Sequence, residues 1–154
     1  MKPEEIFIGG MNCSQSVFYP FAKDFFNNSE LAFKIMSPFG GGIAYTNRIC
    51  GAVTGGIAAI GLYLGHTDSS QAEQKAKCVA ATREFLKRFQ EKQKSTDCTQ
   101  LIKYNLSVEE EAKKANEEGV FKTICPELVK SSAQLVIEIL EEYGVKDINL
   151  KTEV

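Results

Sequence analysis

The chain has five cysteines, yet no two of them form a Cys-x-x-Cys. That absence disfavours zinc ribbons, thioredoxin-type motifs, ordinary ferredoxin spacing and c-type haem attachment, so a site shared between cysteines must be assembled by tertiary folding. An excess of charge of one sign is also missing. The formal net charge is −2, which leaves no general attraction for nucleic acid or anionic lipid. The N-terminus, Met1-Lys2-Pro3-Glu4-Glu5, lacks the apolar run of a secretory signal; a cytoplasmic location is therefore expected, where disulfides are transient. Alternating apolar and polar runs are scarce, which argues against a sheet. There is one histidine, His66 after Gly65, and it reads as a helix-terminating cation rather than a catalytic group. No acid–base dyad presents itself.

What is present is helical periodicity. A length of 154 residues with 44% apolar content fills one core, and the expectation is a single all-α domain over residues 1–154. The pattern predicts a bundle of about five or six helices around a central glycine-rich apolar helix. The first helix is expected over about 12–26, capped by Asn12, carrying Val17, Phe18, Phe21 and Phe25 on its apolar stripe and bent at Pro20. Ser29 caps a short second helix that must end before Pro38. A glycine-rich loop at 39–48 leads into the central helix at 49–64. That segment is marginal in length for a membrane span, and Gly51, Gly55, Gly56, Gly61 and Gly65 point to close helix packing inside a bundle. A fourth helix is expected from Asp68 to about residue 92, started by an Asp68–Gln71 capping box, with Ala72, Ala76, Val79, Leu86 and Phe89 facing inward. Ser107 caps an acidic helix, and the last helix is expected from Cys125-Pro126 to Gly144, with a tail after Lys146.

Four cysteines fall at or within the first turn of these expected helices: Cys13 after Asn12, Cys50 after Arg48, Cys98 after Asp97, and Cys125 before Pro126. A helix N-terminus presents unpaired N–H donors and a partial positive charge, which favour a thiolate, the form of cysteine that attacks disulfides and ligates metals. Gly40, Gly41 and Gly42 add backbone that can turn N–H groups toward an anion, and Arg48 adds charge. Tyr45 and Asn47 are secondary candidates for a pocket lining, with packing and capping as their alternative roles. Cys78, in line with Phe85 at i+7, reads as a core filler.

The stretch Cys50-Gly51-Ala52-Val53-Thr54-Gly55, preceded by Phe39-Gly40-Gly41-Gly42, resembles the redox-active proteins named the C-GCAxxG-C-C family. Asn12-Cys13-Ser14-Gln15-Ser16-Val17, Asp97-Cys98-Thr99-Gln100-Leu101 and Cys125-Pro126-Glu127-Leu128-Val129 resemble its other cysteine blocks, in order and over nearly the whole chain, with Cys78 outside the pattern. The resemblance implies a small bacterial or archaeal helical protein with redox activity but no defined reaction. A similar module is attached to haem in the split-Soret cytochromes, which brings in iron–sulfur binding as an implication of kinship. This chain lacks Cys-x-x-Cys-His, so covalent haem is not expected.

Three readings follow. In the first, Cys50 attacks and another of the four thiols resolves, in exchange with a redox partner protein or a small thiol. In the second, Cys13, Cys50, Cys98 and Cys125 are metal ligands for an iron–sulfur cluster, or less readily zinc. In the third, the chain is a helical interaction module, such as a homodimer, whose cysteines fill space.

Overall fold

The structure is a computed structural model that describes residues 1–148. The chain is 67% helical, all-α and without named strands among the described residues. Eight α-helices are described: α1 (Pro3–Ile8), α2 (Cys13–Ala22), α3 (Glu30–Met36), α4 (Gly51–Leu64), α5 (Ala72–Gln93), α6 (Cys98–Ile102), α7 (Glu109–Glu117) and α8 (Val120–Glu142). The helices beyond the expected number include α1, a helix of six residues in which periodicity has little room to show.

The central helix is α4, as its composition requires. Ala52, Val53, Ala59 and Ile60 are fully buried, and α2, α5 and α8 surround it. Phe21, Phe85, Phe89, Val129, Val136, Ile139 and Leu140 complete this core. Among the described residues, no helix is long and apolar enough to cross a membrane. Side chains that a straight helix would leave too crowded are avoided by glycine. A Cβ on Gly51 would lie 2.9 Å from the Cβ of Cys13, and one on Gly55 would lie 2.7 Å from the carbonyl oxygen of Ser14. Those two glycines let the start of α2 lie directly against α4.

Several boundaries differ from expectation, each for a local reason. Helix α2 stops at Ala22, so Phe25 lies beyond it, half exposed, with its ring edge-on to Tyr63. The Asp68 side chain accepts from Ser70 in a local turn, and α5 begins at Ala72. Its buried stripe is Ala81, Phe85 and Phe89; Ala72, Ala76 and Val79 are exposed, while Cys78 packs against the core as expected. Ser107 bonds Asn105 instead of capping α7, whose N-cap is Val108. Helix α8 starts at Val120, after Gly119 in a left-handed conformation, and carries Pro126 within it. In the expected tail, Ile148 is buried on the core; residues 149–154 lie outside the described residues.

Candidate functional site

Cys13 is the first residue of α2. Asn12 caps that helix in both directions: its Oδ1 accepts from the Gln15 N–H at 3.0 Å, and its own N–H donates to Gln15 Oε1 at 3.0 Å. The Asn12 amide also donates to the Ser37 carbonyl at 2.9 Å, which anchors the turn that carries Cys13. Cys50 occupies the N-cap position of α4, across Gly51 from Cys13.

Cys98 is placed by backbone pairing. Ile49 and Asp97 form an isolated antiparallel bridge; the Cys50 N–H donates to Thr96 O at 2.9 Å and the Cys98 N–H to Arg48 O at 2.7 Å. Because side chains alternate along extended backbone, Cys50 and Cys98 fall on the same face of this bridge as diagonal neighbours. Buried Asn47 fixes the approach. Its Nδ2 donates to Thr99 Oγ1 at 2.9 Å and to Tyr104 O at 2.7 Å, and its Oδ1 accepts from the Leu106 N–H at 2.8 Å. Asp97 caps α6 by accepting from the Gln100 N–H, as its sequence position predicts.

Cys125 departs from expectation. With α8 beginning at Val120, Cys125 sits on the second turn rather than at the helix start, so the helix terminus does not supply its stabilisation. Another thiol does. Cys13 and Cys125 lie side by side on the wall of one cavity, and their interaction draws the Cys125 pKa below that of an ordinary thiol despite burial, while the same interaction and burial push Cys13 well above it. Cys98 lies on the same cavity wall as Cys13 and Cys125, and Cys50 lies across Gly51 from Cys13.

The other two thiols are driven in the opposite direction. Burial pushes Cys50 up to about 11; the Ala52 and Val53 N–H groups beside its sulfur pull against this without completing a cap hydrogen bond. Burial, reinforced by Cys50 and Cys125, pushes Cys98 up to about 12. Helix-start donors do reach Cys50, therefore, but desolvation outweighs them, whereas Cys125 is drawn below the ordinary thiol value.

A cavity of about 650 Å³ opens beside these thiols. Cys13, Cys98 and Cys125 line it, Cys50 does not, and its walls include Phe7 of α1, Ile102 of α6, Leu106 and Phe121 of α8. Phe121 and Cys125 share a helix face at i,i+4, as do Cys98 and Ile102. Sequence reading passed over these wall residues, since none carries a chemical signature and Phe7 lies on a helix too short to announce itself.

The glycine-rich loop closes on itself. Gly41, Gly42, Ile43, Ala44 and Tyr45 all have positive φ, a left-handed turn that costs about 1–2 kcal/mol for each non-glycine residue. The N–H groups of residues 43–48 each donate to a backbone carbonyl, from Ile43 to Phe39 O through Arg48 to Gly42 O. Those six donors are held within the loop. Gly40 abuts Asn12, and Gly41 lies under the Tyr45 ring; Gly41 and Tyr45 line the cavity. The Arg48 side chain is exposed, and Arg48 meets the site through its carbonyl. Asn47 serves as the clamp described above, and His66 is exposed after the end of α4.

A family model described as "Putative redox-active protein (C_GCAxxG_C_C)" matches residues 11–139. The chain belongs to this family. The C_GCAxxG_C_C match spans all four of these cysteines, and the family description gives a redox role in general terms. Against the literal Gly-Cys-Ala-x-x-Gly of the family name, this member reads Cys50-Gly51-Ala52-Val53-Thr54-Gly55, with one more residue between cysteine and the second glycine. No curated protein and no solved structure matched the chain. Four sulfurs suit iron–sulfur or zinc chemistry in kind. Among the described residues, however, no group of three or more His, Cys, Asp or Glu side chains is disposed to hold a metal ion, so the side chains as placed do not fit either group.

Proposed function

We propose that this C_GCAxxG_C_C protein is a dithiol redox protein that exchanges two electrons with a disulfide partner, with Cys125 as the attacking sulfur and Cys13 as the resolving one. The observation that carries this reading is the adjacency of Cys13 and Cys125 on the wall of the cavity. A lowered thiol pKa raises the fraction of nucleophilic thiolate at neutral pH, and a second thiol on the same cavity wall supplies the resolving step.

The Cys125 thiolate attacks one sulfur of a disulfide R–S–S–R′, forming Cys125–S–S–R and expelling R′S⁻. The Cys13 thiol passes its proton to R′S⁻, and its sulfur attacks the Cys125 sulfur to release RS⁻, which takes a proton from solvent. One substrate disulfide becomes two thiols, and Cys13 and Cys125 become a disulfide. Cys50 and Cys98, held as neutral thiols by burial, stay reduced through this cycle.

The test is mild oxidation of the fully reduced protein followed by alkylation and peptide mass spectrometry. A loss of two free thiols, mapped to a Cys13–Cys125 disulfide, is expected. Retention of both thiols, or a protein that purifies anaerobically with stoichiometric iron and sulfide on these cysteines, overturns the reading.

A further inference from the structure

The redox pair faces a space with a definite chemical character. Besides buried Ile102 and half-buried Phe7, Leu106 and Phe121, the cavity is bordered by three of the large apolar side chains that the chain leaves exposed: Ile8 at 68%, Tyr45 at 60% and Met11 at 40%. Apolar groups gathered around one opening mark a binding surface more often than scattered ones do. Among the described residues Lys122 is the one charged residue on the lining, next to Phe121 and one turn before Cys125. A volume of about 650 Å³ is that of a small-molecule site.

Resting on the dithiol reading above, we infer that the redox partner of Cys13 and Cys125 is a small disulfide–dithiol compound whose sulfurs sit on an apolar chain ending in an anionic group. The sulfurs meet Cys125, the chain lies along Phe121 and the opening formed by Ile8 and Met11, and the anionic end meets the Lys122 ammonium. A hydrophilic disulfide leaves the apolar walls uncovered and forfeits their contribution to binding. Each methylene seated is worth about fourfold in affinity. Exchange is balanced in both directions: the partner's dithiol closes to a disulfide as the protein's opens to two thiols.

The experiment uses the full chain oxidised at Cys13–Cys125 and follows its reduction by dihydrolipoic acid, by dihydrolipoamide and by dithiothreitol. Each rate is divided by that of the same dithiol with hydroxyethyl disulfide, which removes intrinsic reactivity. The normalised rate for dihydrolipoic acid is expected to exceed that for dithiothreitol by about tenfold or more. Lys122→Glu is expected to slow dihydrolipoic acid by about two- to fivefold and leave the uncharged amide unchanged. Octanoate, which has the chain and the carboxylate without sulfur, is expected to slow reduction by dithiothreitol. Equal normalised rates, or no competition by octanoate, overturn the inference while the dithiol reading stands. Failure to form any Cys13–Cys125 disulfide at the start overturns both.

Discussion

The backbone N–H of Cys98 donates to the carbonyl of Arg48 at 2.7 Å, and through this bond, rather than through its guanidinium, Arg48 enters the thiol cluster. A residue placed by its main chain tolerates a change of side chain. Arg48→Ala is therefore expected to alter unfolding free energy by less than about 0.5 kcal/mol and to leave alkylation rates of the cysteines unchanged. Asn47→Ala behaves differently, because it orphans the Tyr104 carbonyl and the Leu106 N–H, both hydrogen-bonded to it, and places alanine at φ +55°. A loss of about 2–3 kcal/mol is expected in urea unfolding. If the two variants cost the same, the clamp role of Asn47 is wrong.

The glycines of the family motif invite a second test. Gly51 and Gly55 face Cys13 and Ser14 so closely that a methyl group at either position requires α2 to move from α4. Gly51→Ala and Gly55→Ala are each expected to cost about 1–3 kcal/mol by overpacking. Gly51→Ala carries an added consequence, since the atom it meets is the Cβ of Cys13: oxidative closure of Cys13 with Cys125 slows as well. Gly61, where an added Cβ meets nothing within 4 Å, is the control, and Gly61→Ala is expected to be neutral or stabilising. A Gly61→Ala cost matching that of Gly51→Ala would sink the packing explanation.

That motif also shows where the sequence was readable. The central helix could be placed because its apolar composition admits only a buried position, and the helix-start positions of Cys13, Cys50 and Cys98 could be read from Asn12, the glycine-rich loop and Asp97. The ranking among them was not legible. Cys50 has the donors that sequence promised, but burial decides its protonation, and burial is a tertiary quantity. Cys125 seemed placed at a helix start because Pro126 favours that position; Gly119 begins the helix earlier, and Pro126 is accommodated within it. The cavity was invisible, since Phe7, Ile102, Leu106 and Phe121 come from four separate segments and signal only as apolar residues.

The thiol pair predicts an asymmetry in reactivity. Removing the Cys13 thiol takes away the interaction that lowers the Cys125 pKa, while the burial that raises it persists. Cys13→Ala is thus expected to slow iodoacetamide modification of Cys125 at pH 7, with the midpoint of its pH–rate profile moved to higher pH. Cys98→Ala and Cys50→Ala are expected to leave that midpoint at or below its original position, because neither sulfur lowers the Cys125 pKa. A Cys13→Ala profile identical to that of the parent protein would show that Cys13 does not govern Cys125.

Alkaline stability provides the last test, with its direction fixed by burial. An ordinary thiol titrates near 9.0, whereas Cys50 titrates at about 11 and Cys98 at about 12 in the fold. Between these values the unfolded chain has released protons that the folded chain still holds, so unfolding becomes more favourable as pH rises. The stabilisation is intact below about pH 9 and is lost progressively toward pH 11 to 12, by roughly 3 kcal/mol for Cys50 taken alone. Tyrosines and lysines titrate in the same range, but they are common to a Cys50→Ala variant, so the difference between the two proteins isolates the thiol. Urea midpoints measured at pH 8, 9.5 and 10.5 are expected to fall more steeply for the parent protein than for Cys50→Ala. Parallel slopes would mean that Cys50 ionises in the native state as freely as in the unfolded chain, and its assignment as a neutral bystander behind the reactive pair would fail.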